Sequence, residues 1–110
     1  MYVDTQDHQA LQTYSLEVKR CNMQSFGELR GKRSYREIVK SPVISNISGF
    51  TIDIRRNDVP VTLFYKNGVK PWKSILINNK FETSMVPKGS EIYVAASVNA
   101  DEIVQYAIEY

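Results

Sequence analysis

Hydrophobic and polar positions alternate with a period of two along most of this chain. The clearest run is Val59, Val61, Leu63 and Tyr65, closed by Asn67-Gly68. A period of two sends successive side chains to opposite faces of an extended backbone, so each such run predicts a strand with one buried face. Tyr14, Leu16 and Val18 predict a strand over 13–20. Phe50, Ile52 and Ile54 predict another, ended by the polar triplet Arg56-Asn57-Asp58. Pro60 stands near the start of the 59–66 run, where a missing N–H costs least, which favours an edge or strand-entry position. Ile75 and Ile77 mark a return strand over 72–77, and Phe81 to Met85 a further short one. Ile92, Val94, Ala96 and Val98, followed by Val104, Tyr106, Ile108 and Tyr110, predict the last two.

Turn chemistry fills the gaps. Asn67-Gly68 is a strong hairpin signal, because both residues accept the positive φ of a type I′ turn. Pro87-Lys88-Gly89 predicts a reversal, with Pro presetting φ and Gly supplying φ > 0. Asn99-Ala100-Asp101 predicts the next. Residues 22–34 show no period, hold Gly27 and Gly31, and read as a loop. Ser34-Tyr35-Arg36-Glu37 has the spacing of a helix capping box. The apolar pair behind it, Ile38-Val39, is β-branched and soon meets Pro42, so a strand over 35–40 is the expectation.

These runs give seven or eight strands at eight- to twelve-residue spacing, with no strand–helix–strand rhythm. The predicted fold is an all-β antiparallel sandwich, jelly-roll or immunoglobulin-like in wiring, with a small barrel as the alternative. Residues 1–12 are expected to form a flexible polar arm and 13–110 a single domain. The stretch from Phe81 to Tyr110 resembles the closing strands of bacterial β-sandwich accessory modules in its Pro-x-Gly reversal, Ile92-Tyr93-Val94 strand and Tyr-bearing final strand. That pattern is generic to sandwiches and assigns no family.

Composition bounds the class. At 110 residues, 43% of them hydrophobic and 24% charged, the chain is one globular domain's worth. A domain this size buries about two-thirds of the surface its unfolded chain exposes, so it folds without staples. Fourteen basic residues against twelve acidic leave a net charge of +2, too even to demand a polyanionic partner. The single cysteine, Cys21, excludes an intrachain disulfide and a Cys-rich zinc site. No stretch approaches the roughly 20 apolar residues of a membrane helix. The first nine residues are polar and lack both parts of a signal peptide. The expectation is cytosolic synthesis, or a mature fragment of a secreted or virion protein.

Catalytic groups are sparse. His8, the one histidine, lies in the polar arm, far in sequence from any group that would orient it as a base or ligand. The acids fall mostly at outward strand positions or turns, such as Asp53, Glu82 and Glu109. Asp53 and Asp58 flank a turn without the dense spacing of a calcium loop. No phosphate-cradling or dinucleotide-binding glycine motif is present. The reading is non-enzymatic, with no cofactor and no metal.

Two surface clusters remain. Tyr65, Lys66, Lys70, Trp72 and Lys73 gather about the Asn67-Gly68 turn and mix aromatic with cationic groups, the residue types of a contact patch. The plainer alternative makes Trp72 a core plug and the lysines solubilising. Arg30, Lys32, Arg33 and Arg36, with Tyr35 beside them, form a second basic cluster bracketed by Glu28 and Glu37. Three functions follow. The first is a structural or assembly domain of the virion, tail or cell-surface type, acting by self-association or contact with a protein partner. The second is a carbohydrate-binding module that stacks sugars on Trp72 and Tyr65. The third is a small nucleic-acid binder using both basic clusters.

Overall fold

Eight strands form among the described residues of the structure, a computed structural model that places 11–15, 23–55, 59–77 and 86–110. They are β1 (Leu11–Ser15), β2 (Gln24–Arg30), β3 (Glu37–Lys40), β4 (Thr51–Arg55), β5 (Val61–Lys66), β6 (Lys73–Leu76), β7 (Glu91–Val98) and β8 (Ile103–Glu109). The first sheet runs β1-β4-β8-β2 and the second β3-β7-β5-β6, and every pairing is antiparallel. The chain is an all-β sandwich, as the alternation predicts.

The wiring is nested. β2 pairs with β8, β3 with β7 and β5 with β6, so one long folded-over ribbon supplies both sheets. Pairs β4–β8 and β7–β5 then close each sheet internally. That is the jelly-roll order rather than the ABED and CFG sheets of an immunoglobulin domain. Beside β4, the edge of the first sheet is taken by β1.

Alternation decides what lies between the sheets. Ile52, Ile54, Val104 and Ile108 of the first sheet face Val61, Leu63, Ile92, Val94 and Val98 of the second, and all are buried. Phe50, Ile47 and Leu29 complete the core from the loops and from β2. Burying each such side chain contributes about 1.5–3 kcal/mol relative to leaving it in water. At Pro42 the β3 ladder stops. Ser41 extends it by one step: its N–H donates to Val94 O and its Oγ accepts from Val94 N–H, both at 2.9 Å.

Two expectations are corrected. The stretch 22–34, read as a loop, contains β2 over Gln24–Arg30. Its period is hidden because an inward position is Gly27, where an added Cβ would stand 3.1 Å from Tyr106 Oη. The Tyr106 ring fills the space an apolar side chain would otherwise supply, so the sequence shows no alternation there. The second correction is the hairpin. Only Gly68 has positive φ, at 66°, and pairing resumes at Tyr65 opposite Lys73, so the β5–β6 connection is longer than a two-residue type I′ turn. Pro71 lacks the N–H a tight hairpin would need, and a turn closed by Lys70 N–H on Asn67 O takes its place.

The reversal at 87–89 stands as expected, with Gly89 at φ 85°. β1 starts at Leu11, so Leu11 and Gln12, expected in the arm, pair with Arg55 and Ile54. The expected strand over 81–85, the turn 56–58, His8 and Cys21 lie outside the described residues.

Candidate functional site

The outward positions of the second sheet carry a cluster of apolar and aromatic groups, some exposed and some half-buried. On β5, Leu63 and Tyr65 point inward, so Thr62, Phe64 and Lys66 point out. On β7, Tyr93, Ala95 and Ser97 point out. Register places Phe64 against Tyr93, and Thr62 against Ala95. From the edges come Ile38, 71% exposed, Leu76 and Trp72, 37% exposed.

The rings contact one another. Phe64 and Tyr93 stack with centroids 4.9 Å apart and planes 12° from parallel. Trp72 meets Tyr93 edge-on at 5.0 Å. The Lys40 ammonium lies 5.7 Å from the Tyr93 centroid and that of Lys66 5.3 Å from the Trp72 centroid. Each such cation–π contact at an exposed site contributes about 0.5–1 kcal/mol. Trp72 is therefore no core plug; it sits on the outer face.

Beside this strip runs a groove of about 390 Å³, lined by Ile38, Pro60, Thr62, Phe64, Ala95 and Ser97 among others. Its floor is low because β7 presents the small residues Ala95 and Ser97 between the larger flanks of Ile38 and Phe64. Arg36 closes one end, held by bonds from its guanidinium to Ser97 O at 2.6 Å and to Glu102 at 2.8 Å.

The first sequence cluster divides. Tyr65, Lys66, Lys70 and Lys73 line one small pocket at the β5–β6 hairpin, together with Asn67, Pro71 and Pro87. Trp72 instead joins the aromatic strip. Tyr65, offered as a stacking platform, has its ring in the core with only 8% of the residue exposed. Its phase with Val61 and Leu63 already placed it there, and the same phase assigns Phe64 outward. Phe64, Tyr93, Ile38 and Lys40 were legible as outward strand positions but were not singled out.

The second cluster is brought together, and two of its four cations, Arg30 and Arg36, are paired with acids. Arg30 pairs with Glu28 at 3.3 Å. The backbone N–H of Lys32 donates to the Glu37 carboxylate at 3.0 Å. Arg33 donates to the Tyr35 hydroxyl and lies over its ring. Arg36 is paired with Glu102.

Among the described residues no three His, Cys, Asp or Glu side chains converge to hold a metal ion. No helix among them is long and apolar enough to cross a membrane. What the fold and face define is a jelly-roll β-sandwich with one aromatic outer face. No family model matches this chain, and comparison with curated proteins and with solved structures yields no match either.

Proposed function

We propose that this domain works by protein–protein contact, as an assembly or interaction module, through the outer face of its second sheet. The observation that carries the reading is the outward strip in which Ile38, Trp72 and Leu76 are exposed and the stacked rings of Phe64 and Tyr93 are half-buried, bordering an apolar groove. A sandwich needs only its inner faces to fold. Large apolar groups gathered on an outer face are the composition of an interface core, where aromatic anchors carry most of the binding energy.

Ring orientation favours this reading over sugar stacking. A stacking platform offers free ring faces, whereas Tyr93 has Phe64 against its ring and Lys40 above it, and Trp72 has Lys66 over it. Charge placement likewise weighs against a nucleic-acid track. The hairpin lysines sit near Glu91 and the 30–36 cluster near Val98, the two ends of β7. Seven residue steps of strand separate those ends, about 24 Å, and in the far cluster Arg30 and Arg36 are paired with Glu28 and Glu102.

The test is solution mass by light scattering at two protein concentrations, with capture of binding partners from the source of the protein alongside. Ile38→Asp should abolish the discrete oligomer or the specific capture. Phe26→Ser, on the opposite outer face, should leave it unchanged. Equal behaviour of wild type and Ile38→Asp in both measurements would sink the proposal.

A further inference from the structure

We propose that the pocket at the β5–β6 hairpin is an oxyanion-binding site that takes a single carboxylate or phosphate group. The pocket, about 90 Å³, is lined by Tyr65, Lys66, Asn67, Lys70, Pro71, Lys73 and Pro87. Its size suits one charged group rather than a sugar ring or a nucleotide.

Two independent observations converge there. The first is charge. Two cationic side chains, Lys70 from the six-residue connection and Lys73 from the start of β6, line the pocket. Neither Lys70 nor Lys73 has an acidic or hydrogen-bonding side-chain partner among the described residues. Lys66 also lines the pocket, but its ammonium lies over the Trp72 ring and 3.9 Å from Glu91 on the outer face. Like charges crowded on a small pocket repel one another, and an anion between them relieves that repulsion.

The second observation is Tyr65. Its residue is more than nine-tenths buried, lines this pocket, and makes no hydrogen bond among the described residues. A phenol that lines a pocket and has no protein hydrogen-bond partner among the described residues leaves its O–H available to a ligand acceptor. A phenolic O–H can donate to an oxyanion while the lysines supply charge, and a hydrogen bond to an ionised acceptor is among the stronger kinds.

The walls are held in place. Asn67 Nδ2 donates to Lys88 O at 3.2 Å and to Ser90 Oγ at 3.3 Å, and Ser90 Oγ donates to Pro87 O at 2.7 Å. These bonds fasten the loop bearing Pro87 to the hairpin, so the pocket is shaped before a ligand arrives. The Asn67 amide is occupied in this way, which leaves recognition to Tyr65 and the lysines.

The site is independent of the contact face, and its test keeps the two apart. Isotope-labelled protein is titrated by NMR with inorganic phosphate and, separately, with acetate, at constant ionic strength set by sodium chloride. Saturable shifts of the backbone amides around the pocket are expected, with phosphate alone, acetate alone or both identifying which oxyanion the site prefers. Tyr65→Phe should weaken that binding about tenfold or more. Without ligand the same variant should melt no lower than wild type, because it removes a hydroxyl that has no partner. Lys73→Gln should weaken binding also, whereas Ile38→Asp should leave it unchanged. No saturable shift beyond the chloride control overturns the proposal, and so does undiminished binding by Tyr65→Phe. Binding to oligothymidylate that strengthens with strand length and ignores Tyr65→Phe overturns it as well, in favour of a diffuse polyanion surface.

Discussion

The two outer faces of this sandwich are built from the same alternation and filled in opposite ways. On the first sheet, outward positions carry Glu28, Arg30, Thr51, Asp53, Arg55, Gln105 and Glu109. These groups satisfy one another: Arg30 and Gln105 donate to Glu28, and Gln24 and Thr51 donate to Glu109. Phe26, 74% exposed, is the one large aromatic on that face among the described residues. On the second sheet, the outward positions hold rings and aliphatics that pack on each other, with lysines above them. Folding dictates only the inner faces. The difference between the outer ones therefore reflects what each meets outside the molecule: water in one case, and on our reading a protein surface in the other.

The sharpest test of that distinction uses two neighbours on β5. Leu63 is fully buried and Phe64 faces out. Leu63→Ala should cost about 2–5 kcal/mol of stability, the range for emptying a core site. Phe64→Ala should cost only about 1 kcal/mol, chiefly its stacking on Tyr93. Denaturant unfolding measures both. Equal costs would mean that the outer aromatic strip is a second core, and the contrast between faces would collapse.

Next in size is an effect on contact rather than on stability. Trp72→Ala should weaken partner binding or self-association by at least tenfold, as expected of an aromatic anchor. Its unfolding free energy should fall by no more than about 1 kcal/mol, the edge-on contact with Tyr93 being its main loss. Isothermal titration or concentration-dependent light scattering reads the first quantity and denaturant unfolding the second. A large stability loss with unchanged association would reassign Trp72 to structure.

How far the sequence revealed these features depends on the kind of signal each leaves. Runs such as Val61-Leu63-Tyr65 and Ile92-Val94-Ala96-Val98 announce their strands because burial selects every second residue. Strand β2 escaped because Gly27 replaces an apolar residue where Tyr106 supplies the bulk, a long-range contact with no local trace. The hairpin lysines were visible as a cluster, whereas their convergence with Tyr65 on one pocket depends on Pro71 lengthening the turn and on the 86–90 loop docking against it. The neutralisation of Arg36 by Glu102, 66 residues away, is equally silent in sequence. Composition and motif reading found the residue types, and the fold decided which of them meet.

At the end of the groove, Arg36 allows a finer test. It bonds Ser97 O and Glu102 from a side chain that is about half exposed. Water screens such a pair, so Arg36→Gln should cost about 1 kcal/mol or less. The cost should shrink at high salt, where exposed ion pairs weaken. Thermal unfolding at low and high ionic strength checks this. A salt-independent loss would show that the bond to the Ser97 carbonyl, rather than the Glu102 pair, is what fixes that wall of the groove.

The smallest effect separates a tyrosine of the inner faces from those outside. Burial pushes the Tyr106 phenol above its usual value of 10.0, and a hydrogen bond with Ser25 pulls it part of the way back. Since the folded state holds the proton more tightly than the unfolded one, this residue's contribution is fully present below about pH 10. It is lost as pH rises through the raised folded value, because the unfolded chain then ionises first and is favoured. Tyr106→Phe cannot ionise. At neutral pH it should be less stable than wild type by about 1 kcal/mol or less, through the lost bond to Ser25. Above pH 10 the gap should narrow, since only the wild type is penalised by keeping a buried phenol neutral. Stability profiles of the two proteins from pH 7 to 11 decide the matter. Parallel profiles would mean that Tyr106 is hydrated in the folded state, and that the space around Gly27 is open to water rather than filled by the ring.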